Sequence, residues 1–489
     1  MAKEAFEKLF DKAAIDAKVR EGFPLRHRWH NDFHLEMPFG LVNDPNGLSW
    51  FAGKYHIFFQ WNPLGVEHRH KCWGHVETED FVHYRLPALA LWPSDMHDKD
   101  GCYSGGGFVE DDALRLVYTC NCRDGKKRIP MQRIASWQPE KGMVQKDAII
   151  IEHEPEGYTT HFRDPNRFLK DGREFLVLGA QTVEEKGRAV LYEKKAGAWQ
   201  LAGEIKTDLP DFGYMWECPT FLPLAEGDVL LFSPQGLEAE AYRWQNLYQS
   251  GYIAGKFDAD SLEFQHGAFH ELDQGFDFYA PQAFLHEGRA ILFGWMGMPD
   301  MEAEYPTREE GWLFSLTMPR ELRLSDGRLF YVPLEEMKAL RKGAARKFTA
   351  ARTVEFGQTI AQKSEIELEI LLGDAQQVHI DLAYIGAGEY VRFSYQRRTS
   401  VMTIERYGMK CGGRGVRRFR LAVRDSLKLH IYKDKTAIEV FFQDGAEAAS
   451  FFVFPTQDIV PNFVISADRK LDKIEGSFWE LGGFEWNER

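Results

Sequence analysis

Between residues 30 and 325 the chain shows little helical periodicity. It repeats instead an apolar strand, a short polar turn and a second apolar strand. The instances are "GLSWFAGKYHIFFQW", "GGFVEDDALRLVYTC", "RFLKDGREFLVLGAQ", "TFLPLAEGDVLLFSP" and "QAFLHEGRAILFGWM". Their turns fall near Gly53, Asp111, Gly172, Gly227 and Gly288, a period of roughly 55 to 60 residues. That spacing leaves room for two further strands per unit. Four-stranded units repeated five times and closed on themselves predict a five-bladed β-propeller over residues 30–330, which protects its edges by radial repetition.

The flanking segments read differently. Residues 1–29 open with "MAKEAFEKLFDKAAIDAKVR", where Ala5, Phe6, Leu9, Phe10 and Ala13 share one face of a predicted amphipathic helix. "PLEEMKALRK" (Pro333 to Lys342) predicts a short linker helix within residues 331–345. Residues 346–489 then alternate apolar and polar positions in runs such as "SEIELEILL", "YVRFSYQ" and "IEVFFQDG", the period-2 pattern of an antiparallel β-sandwich. The fold class expected is therefore all-β, a five-bladed propeller followed by a sandwich, with a short N-terminal helix. Glu439, in the last of these runs, is expected to be a structural acid at the surface.

Composition narrows the partners. With a net charge of −14, the surface should repel phosphate backbones and anionic lipid, so neither nucleic acid nor a membrane is expected as a partner. No apolar run approaches the roughly 20 residues that span a bilayer. The N-terminal residues lack the unbroken apolar stretch of a secretory signal, and a cytoplasmic location is expected. Six cysteines in 489 residues, none in a CxxC pair, argue against both a disulfide scaffold and a zinc site. Oligomeric state is not readable.

About ten residues ahead of each hairpin turn lies a polar motif: "NDPNG" (Asp44), "GCYSGG" (Tyr103, Ser104), "HFRDPN" (Arg163, Asp164), "WECPT" (Glu217) and "DFYAPQ" (Asp277). If each occupies the innermost strand of its blade, all five face one central funnel. Carboxylates buried around one concavity are costly unless hydrogen-bonded or at work. Carboxylates with aromatic faces (Trp73, Tyr103, Phe162, Trp216, Phe278, Trp295) and few cations suit a neutral polyol such as a sugar. Two acids in contrasting environments are the minimum for cleaving a glycosidic bond. Asp44, beside the amides of Asn43 and Asn46, is expected to stay ionised as a nucleophile. Glu217, between Trp216 and Cys218, is expected to have a raised pKa as a general acid. Arg163 is expected to hold Asp164 ionised.

"NDPNG", "FRDP" and "WECP", in this order and at these separations, resemble the three signature motifs of glycoside hydrolase family 32. "FHL", "CWGH", "SPQG", "DFYAPQ" and "REGW" extend the likeness from about residue 30 to the end. The resemblance implies the propeller-plus-sandwich fold and retaining hydrolysis of β-fructofuranosides through a covalent fructosyl-enzyme, without metal or cofactor. By motif position, Asp44 would be the nucleophile, Glu217 the acid/base and Asp164 the binder of ring hydroxyls. Asn43, Gln60, Trp73, Tyr103, Ser104, Arg163 and Asp277 would contact the sugar, and Cys218 would tune Glu217. The chain departs from the family pattern at Leu41-Val42, where Trp-Met is usual, at Thr220, where Asp is common, and near His68, where a Trp is absent.

His68, Arg69, His70 and Lys71 form a basic loop expected at the funnel rim, where a phosphate could dock. The resemblance implies sucrose-6-phosphate or sucrose as the substrate. A fructan hydrolase or fructosyltransferase is the alternative, and a non-catalytic carbohydrate-binding propeller a remoter one.

Overall fold

A computed structural model describes residues 8–23, 28–125, 127–384, 388–412, 415–456 and 461–488. Strands dominate, and five sheets of four or more strands form before residue 334. Each begins with a strand that carries one of the polar motifs: β1 (Gly40–Phe51), β2 (Cys102–Glu110), β3 (Tyr158–Lys170), β4 (Met215–Leu224) and β5 (Tyr279–His286). Each leading strand pairs antiparallel with the strand after its turn, as the hairpin pattern predicts. The leading strands also touch in series, β1 with β2, β2 with β3, β3 with β4, β4 with β5, and β5 with β1. The arrangement is propeller-like.

Closing such a ring brings backbones together at its centre, and glycines allow it. A Cβ on Gly107 would lie 2.6 Å from the Gly47 carbonyl oxygen, and one on Gly106 would lie 2.7 Å from Asn166 Oδ1. The first sheet also takes strands from elsewhere. Trp312–Leu313 pairs parallel with the start of β1, and Glu485–Asn487 pairs parallel with His83–Arg85 at the outer edge. The two ends of the propeller segment are thereby stitched together, and the chain's last strand clamps their rim.

The predicted N-terminal helix forms as α1 (Lys12–Gly22), with Asp11 as its cap accepting from the Ala14 amide. Its buried face differs from the expectation. Phe10, Ile15 and Val19 pack inward, whereas Leu9 and Ala13 are exposed; Ala5 and Phe6 lie outside the described residues. Lys8 and Leu9 are also helical, but the chain breaks at Phe10 and is capped afresh at Asp11, so Leu9 and Ala13 do not share one continuous helix face. The predicted linker helix is a six-residue 3₁₀ turn, Glu335–Leu340. Among the described residues no helix is long and apolar enough to cross a membrane.

Beyond the linker lies one ten-stranded antiparallel sheet. Its spine, Asn462–Leu481, pairs along its first part with Gln377–Tyr384 and along its second with Ser364–Leu371. Side chains from both halves, including Ile380, Phe393, Leu368, Ile431 and Val440, share one core.

A buried polar network joins this sheet to the propeller. Glu439 is fully buried, not superficial as expected, and accepts from the Met318 amide and from Arg320 Nη2 at 2.6 Å. Arg320 also reaches Asp273 at 2.9 Å, and His34 sits between Asp434 and Glu439. Burial disfavours a charged His34 ring, but hydrogen bonds to both carboxylates outweigh it and raise the pKa to about 9. The folded value exceeds the unfolded one, so the stabilisation is complete below about pH 6.5 and is lost as pH rises through 9. The stability difference between the wild type and His34→Gln, read by thermal denaturation, should therefore be greatest below pH 6.5 and close by pH 9. A difference that is flat with pH contradicts the charged ring.

Candidate active site

All five leading strands carry the same irregularity where the polar motifs lie. Three steps along the leading strand oppose two on its partner between Val42 and Pro45, Cys102 and Gly105, Arg163 and Asn166, Glu217 and Thr220, and Tyr279 and Gln282. Each is a β-bulge of one extra residue, which bends the strand and re-aims its side chains. In three of them the extra residue is left-handed, Asp164 at φ 62°, Cys218 at φ 49° and Ala280 at φ 46°. The proline after each disfavours the α region in its neighbour and supplies no donor to the ladder.

The bulges bring together groups far apart in sequence. Asp44 accepts from Asn43 Nδ2 at 2.9 Å and from the Ser104 hydroxyl, and Cys218 Sγ lies 3.8 Å from its Oδ2. The Cys218 amide donates to Asp164 Oδ2 at 3.1 Å, so one residue of β4 bridges the acids of β1 and β3. Glu217 receives Arg163 Nη2, Gln235 Nε2 and the Tyr279 hydroxyl, each at 2.6 Å. Gln60 accepts from Asn43 at 2.6 Å and so orients it. Asp44 and Glu217 remain partly accessible to solvent, whereas Asp164 and Arg163 are buried.

Two electrostatic expectations are reversed. Arg163 binds Glu217 closely and leaves Asp164 Oδ2 3.8 Å from its Nε. Burial alone would raise the Glu217 pKa, but the Arg163 charge and the Tyr279 hydrogen bond more than cancel it, and the net shift is downward. Asp164 shifts upward, chiefly through burial and then through the nearby charges of Glu217 and Asp44, with Arg163 opposing. The flanking Trp216 and Cys218 do not set the Glu217 environment, because Trp216 turns into the blade core and donates to the Phe212 carbonyl. Burial and the adjacent carboxylates also raise the Cys218 thiol well above its usual value, which keeps it a neutral donor.

Several predicted contacts lie elsewhere. Asp277 is fully buried at the join with the C-terminal sheet, accepting from the Phe452 amide, the Tyr305 hydroxyl and Arg406. Its place beside Glu217 is taken by Tyr279, two residues on. Trp73, Phe162, Trp216, Phe278 and Trp295 are core residues; of the six aromatics, only Tyr103 is partly exposed. Asn46 turns from Asp44 to accept from the Gly105 amide.

The basic loop is not a free rim. Lys71 is buried, donating to Asn43 Oδ1 and facing His68 Nδ1 at 2.8 Å, and burial pushes its pKa down to about 8. His68 also meets Glu302 at 2.5 Å, and His70 packs edge-on to Phe10. Arg69 is exposed. Among the described residues His56, His75 and Glu77 form a group of metal-ligand chemistry, as do Glu365, Glu367 and His430; neither includes a residue of the acid cluster.

The arrangement suits displacement at a carbon flanked by two carboxyls, one hydrogen-bonded by neutral donors and one by a guanidinium. In Arg163→Gln, Glu217 loses its closest positive charge, so its carboxyl should titrate at higher pH by carboxyl-carbon NMR. An unmoved titration contradicts the pairing.

Residues 34–333 match the "Glycosyl hydrolases family 32 N-terminal domain", and residues 336–475 match "Glycosyl hydrolases family 32 C terminal". The chain is 41% identical over 440 residues to a sucrose-6-phosphate hydrolase of Bacillus subtilis (strain 168), covering 88% of this chain and 90% of that one. It is 38% identical over 457 residues to one from Klebsiella pneumoniae, covering 90% and 92%. The solved sucrose-6-phosphate hydrolase of Lactobacillus gasseri superposes with a TM-score of 0.86 at 29% identity, covering 96% and 97% of the two chains. With both profiles matched in order across the molecule, the chain belongs to glycosyl hydrolase family 32.

Proposed function

We propose that this protein is a retaining β-fructofuranosidase acting on sucrose-6-phosphate. The observation that carries the reading is the meeting of two partly accessible carboxyls, Asp44 and Glu217, around the buried Arg163–Asp164 pair. The substrate is supported by the relatives named sucrose-6-phosphate hydrolase. We also infer that the five sheets are the blades of one closed propeller over residues 30–330, with residues 331–345 as linker and 346–489 as sandwich. The serial contact of β1 through β5 and back to β1 supports this.

In the proposed reaction, Asp44 attacks the anomeric carbon of the fructosyl unit while Glu217 protonates the departing glycosidic oxygen. The leaving hexose departs and a fructosyl ester remains on Asp44. Glu217, now a carboxylate, takes a proton from water, which attacks the same carbon and frees Asp44. Asn43, Ser104 and the Cys218 thiol donate to Asp44 and orient it for attack, and Gln60 fixes Asn43.

The acid step needs a proton on a group that Arg163 tends to keep charged. Asp164 and Glu217 feel each other's charge, so the protonation of one depends on that of the other. Sugar hydroxyls donating to Asp164 favour its ionised form, and a leaving sugar sealing Glu217 from water favours its protonated form. Substrate binding thereby favours a proton where it is used. Once Asp44 is esterified, one negative charge disappears and Glu217 more readily stays ionised as a base.

Asp44→Asn should retain the fold by circular dichroism and lose turnover of sucrose-6-phosphate by at least about 10⁴-fold; substantial residual activity removes Asp44 as nucleophile. Glu217→Gln should lose about 10² to 10⁴-fold on sucrose-6-phosphate. It should lose far less on an aryl fructoside with a good leaving group, and equal losses on both contradict its acid role.

A further inference from the structure

Glu217 sits among more positive charge than its own ionisation requires. Arg128, at the start of the Lys127–Gln138 strand, lies half-buried with its guanidinium 5.5 Å from the centre of the Tyr103 ring. It stands opposite Arg123 across a hairpin. The charges acting on Arg128 are those of Arg163, Arg123 and Glu217, and among the described residues no carboxylate forms an ion pair with it. Glu217 is already committed to Arg163, Gln235 and Tyr279.

His161 belongs to the same corner. Its Nδ1 faces Arg163 Nη1 at 3.1 Å. Since a guanidinium only donates, Nδ1 accepts and the proton resides on Nε2. Burial and the charges of Arg163 and Arg128 lower its pKa to about 4, so the ring is neutral and offers one N–H donor. Buried Arg163 is matched by Glu217, whereas half-buried Arg128, beside the neutral His161 donor and opposite exposed Arg123, has no ion-pair partner among the described residues. Leaving a guanidinium partly buried without an anion is costly.

We propose that Arg128, with Arg123 and His161, forms the subsite for the phosphate monoester on the leaving hexose. This rests on the fructofuranosidase reading, because the side on which Glu217 stands is the side from which the leaving sugar departs. A guanidinium matches a phosphate dianion with two parallel N–H bonds, and the Arg128 guanidinium lies 5.5 Å from the centre of the Tyr103 ring. The loop at His68–Lys71 serves another place. Lys71 bonds to Asn43 beside Asp44, on the fructosyl side, and two of its three donors are already used, on Asn43 and His68.

The test compares kcat/KM on sucrose-6-phosphate and on sucrose for the wild type, Arg128→Gln and Arg128→Lys. The wild type should prefer the phosphorylated sugar by at least tenfold. That ratio should fall at least tenfold in Arg128→Gln and partly recover in Arg128→Lys, which keeps the charge without the fork. A ratio unchanged in Arg128→Gln, or equal losses on both substrates, overturns the subsite. A second readout needs no variant: glucose 6-phosphate should inhibit sucrose cleavage by the wild type at least tenfold more strongly than glucose does, and equal inhibition overturns the proposal. Wild-type cleavage of both sugars without preference refutes the phosphate subsite and leaves the fructosidase standing. Cleavage of neither refutes the fructosidase itself.

Discussion

Three carboxyls share one enclosure here, and the contact that permits it is the Arg163 guanidinium on Glu217. Two like charges 4 Å apart repel by about 4 kcal/mol at an effective dielectric of 20. Without a fixed countercharge such acids relieve that repulsion by taking up protons. Arg163 anchors one carboxylate directly and a second at 3.8 Å, while Lys71, through Asn43, adds positive charge on the Asp44 side. Arg163 thus sets the two neighbouring acids apart, Glu217 shifted downward by its charge and Asp164 shifted upward by burial.

That balance depends on backbone geometry. Arg163, Glu217 and Tyr279 occupy the same place in consecutive leading strands, the last paired residue before an extra residue and a proline; in the first strand the bulge falls one residue earlier, and Asn43 lies within it two residues before Pro45. A regular strand would send successive side chains to opposite faces. The bulge breaks the alternation, and left-handed Asp164 and Cys218 stand one step on, where they meet. Holding non-glycine residues in that region costs of order 1–3 kcal/mol each, sustained by the hydrogen-bonded sheets on either side. The sheets supply rigidity, and the bulges convert it into convergence.

Much of this was legible in the sequence. Alternation and turn residues gave the strands, and the spacing of five hairpins indicated a repeated unit. The motifs singled out the leading strands and three acids that the structure brings to one place. The extra residue was less visible, yet a signal existed: residue-proline-polar recurs at Asp44-Pro45-Asn46, Asp164-Pro165-Asn166, Cys218-Pro219-Thr220 and Ala280-Pro281-Gln282. Aligning those prolines would have selected Tyr279 over Asp277. The electrostatic errors had another source. Neighbours in sequence were used to judge the Glu217 environment, whereas its partners Arg163, Gln235 and Tyr279 come from three separate stretches. Burial misled likewise for Glu439, whose period-2 strand lies under the propeller rather than against solvent.

The central claim is that the reaction proceeds in two displacements at one carbon, with Asp44 bonded to it in between. Stereochemistry reads this most directly. If sucrose-6-phosphate is cleaved in water containing methanol, the alcohol intercepts the fructosyl-enzyme, and the product's configuration can be assigned by NMR without interference from mutarotation. Two displacements predict methyl β-fructofuranoside; the methyl α-anomer as the initial product would show a single displacement and contradict the account.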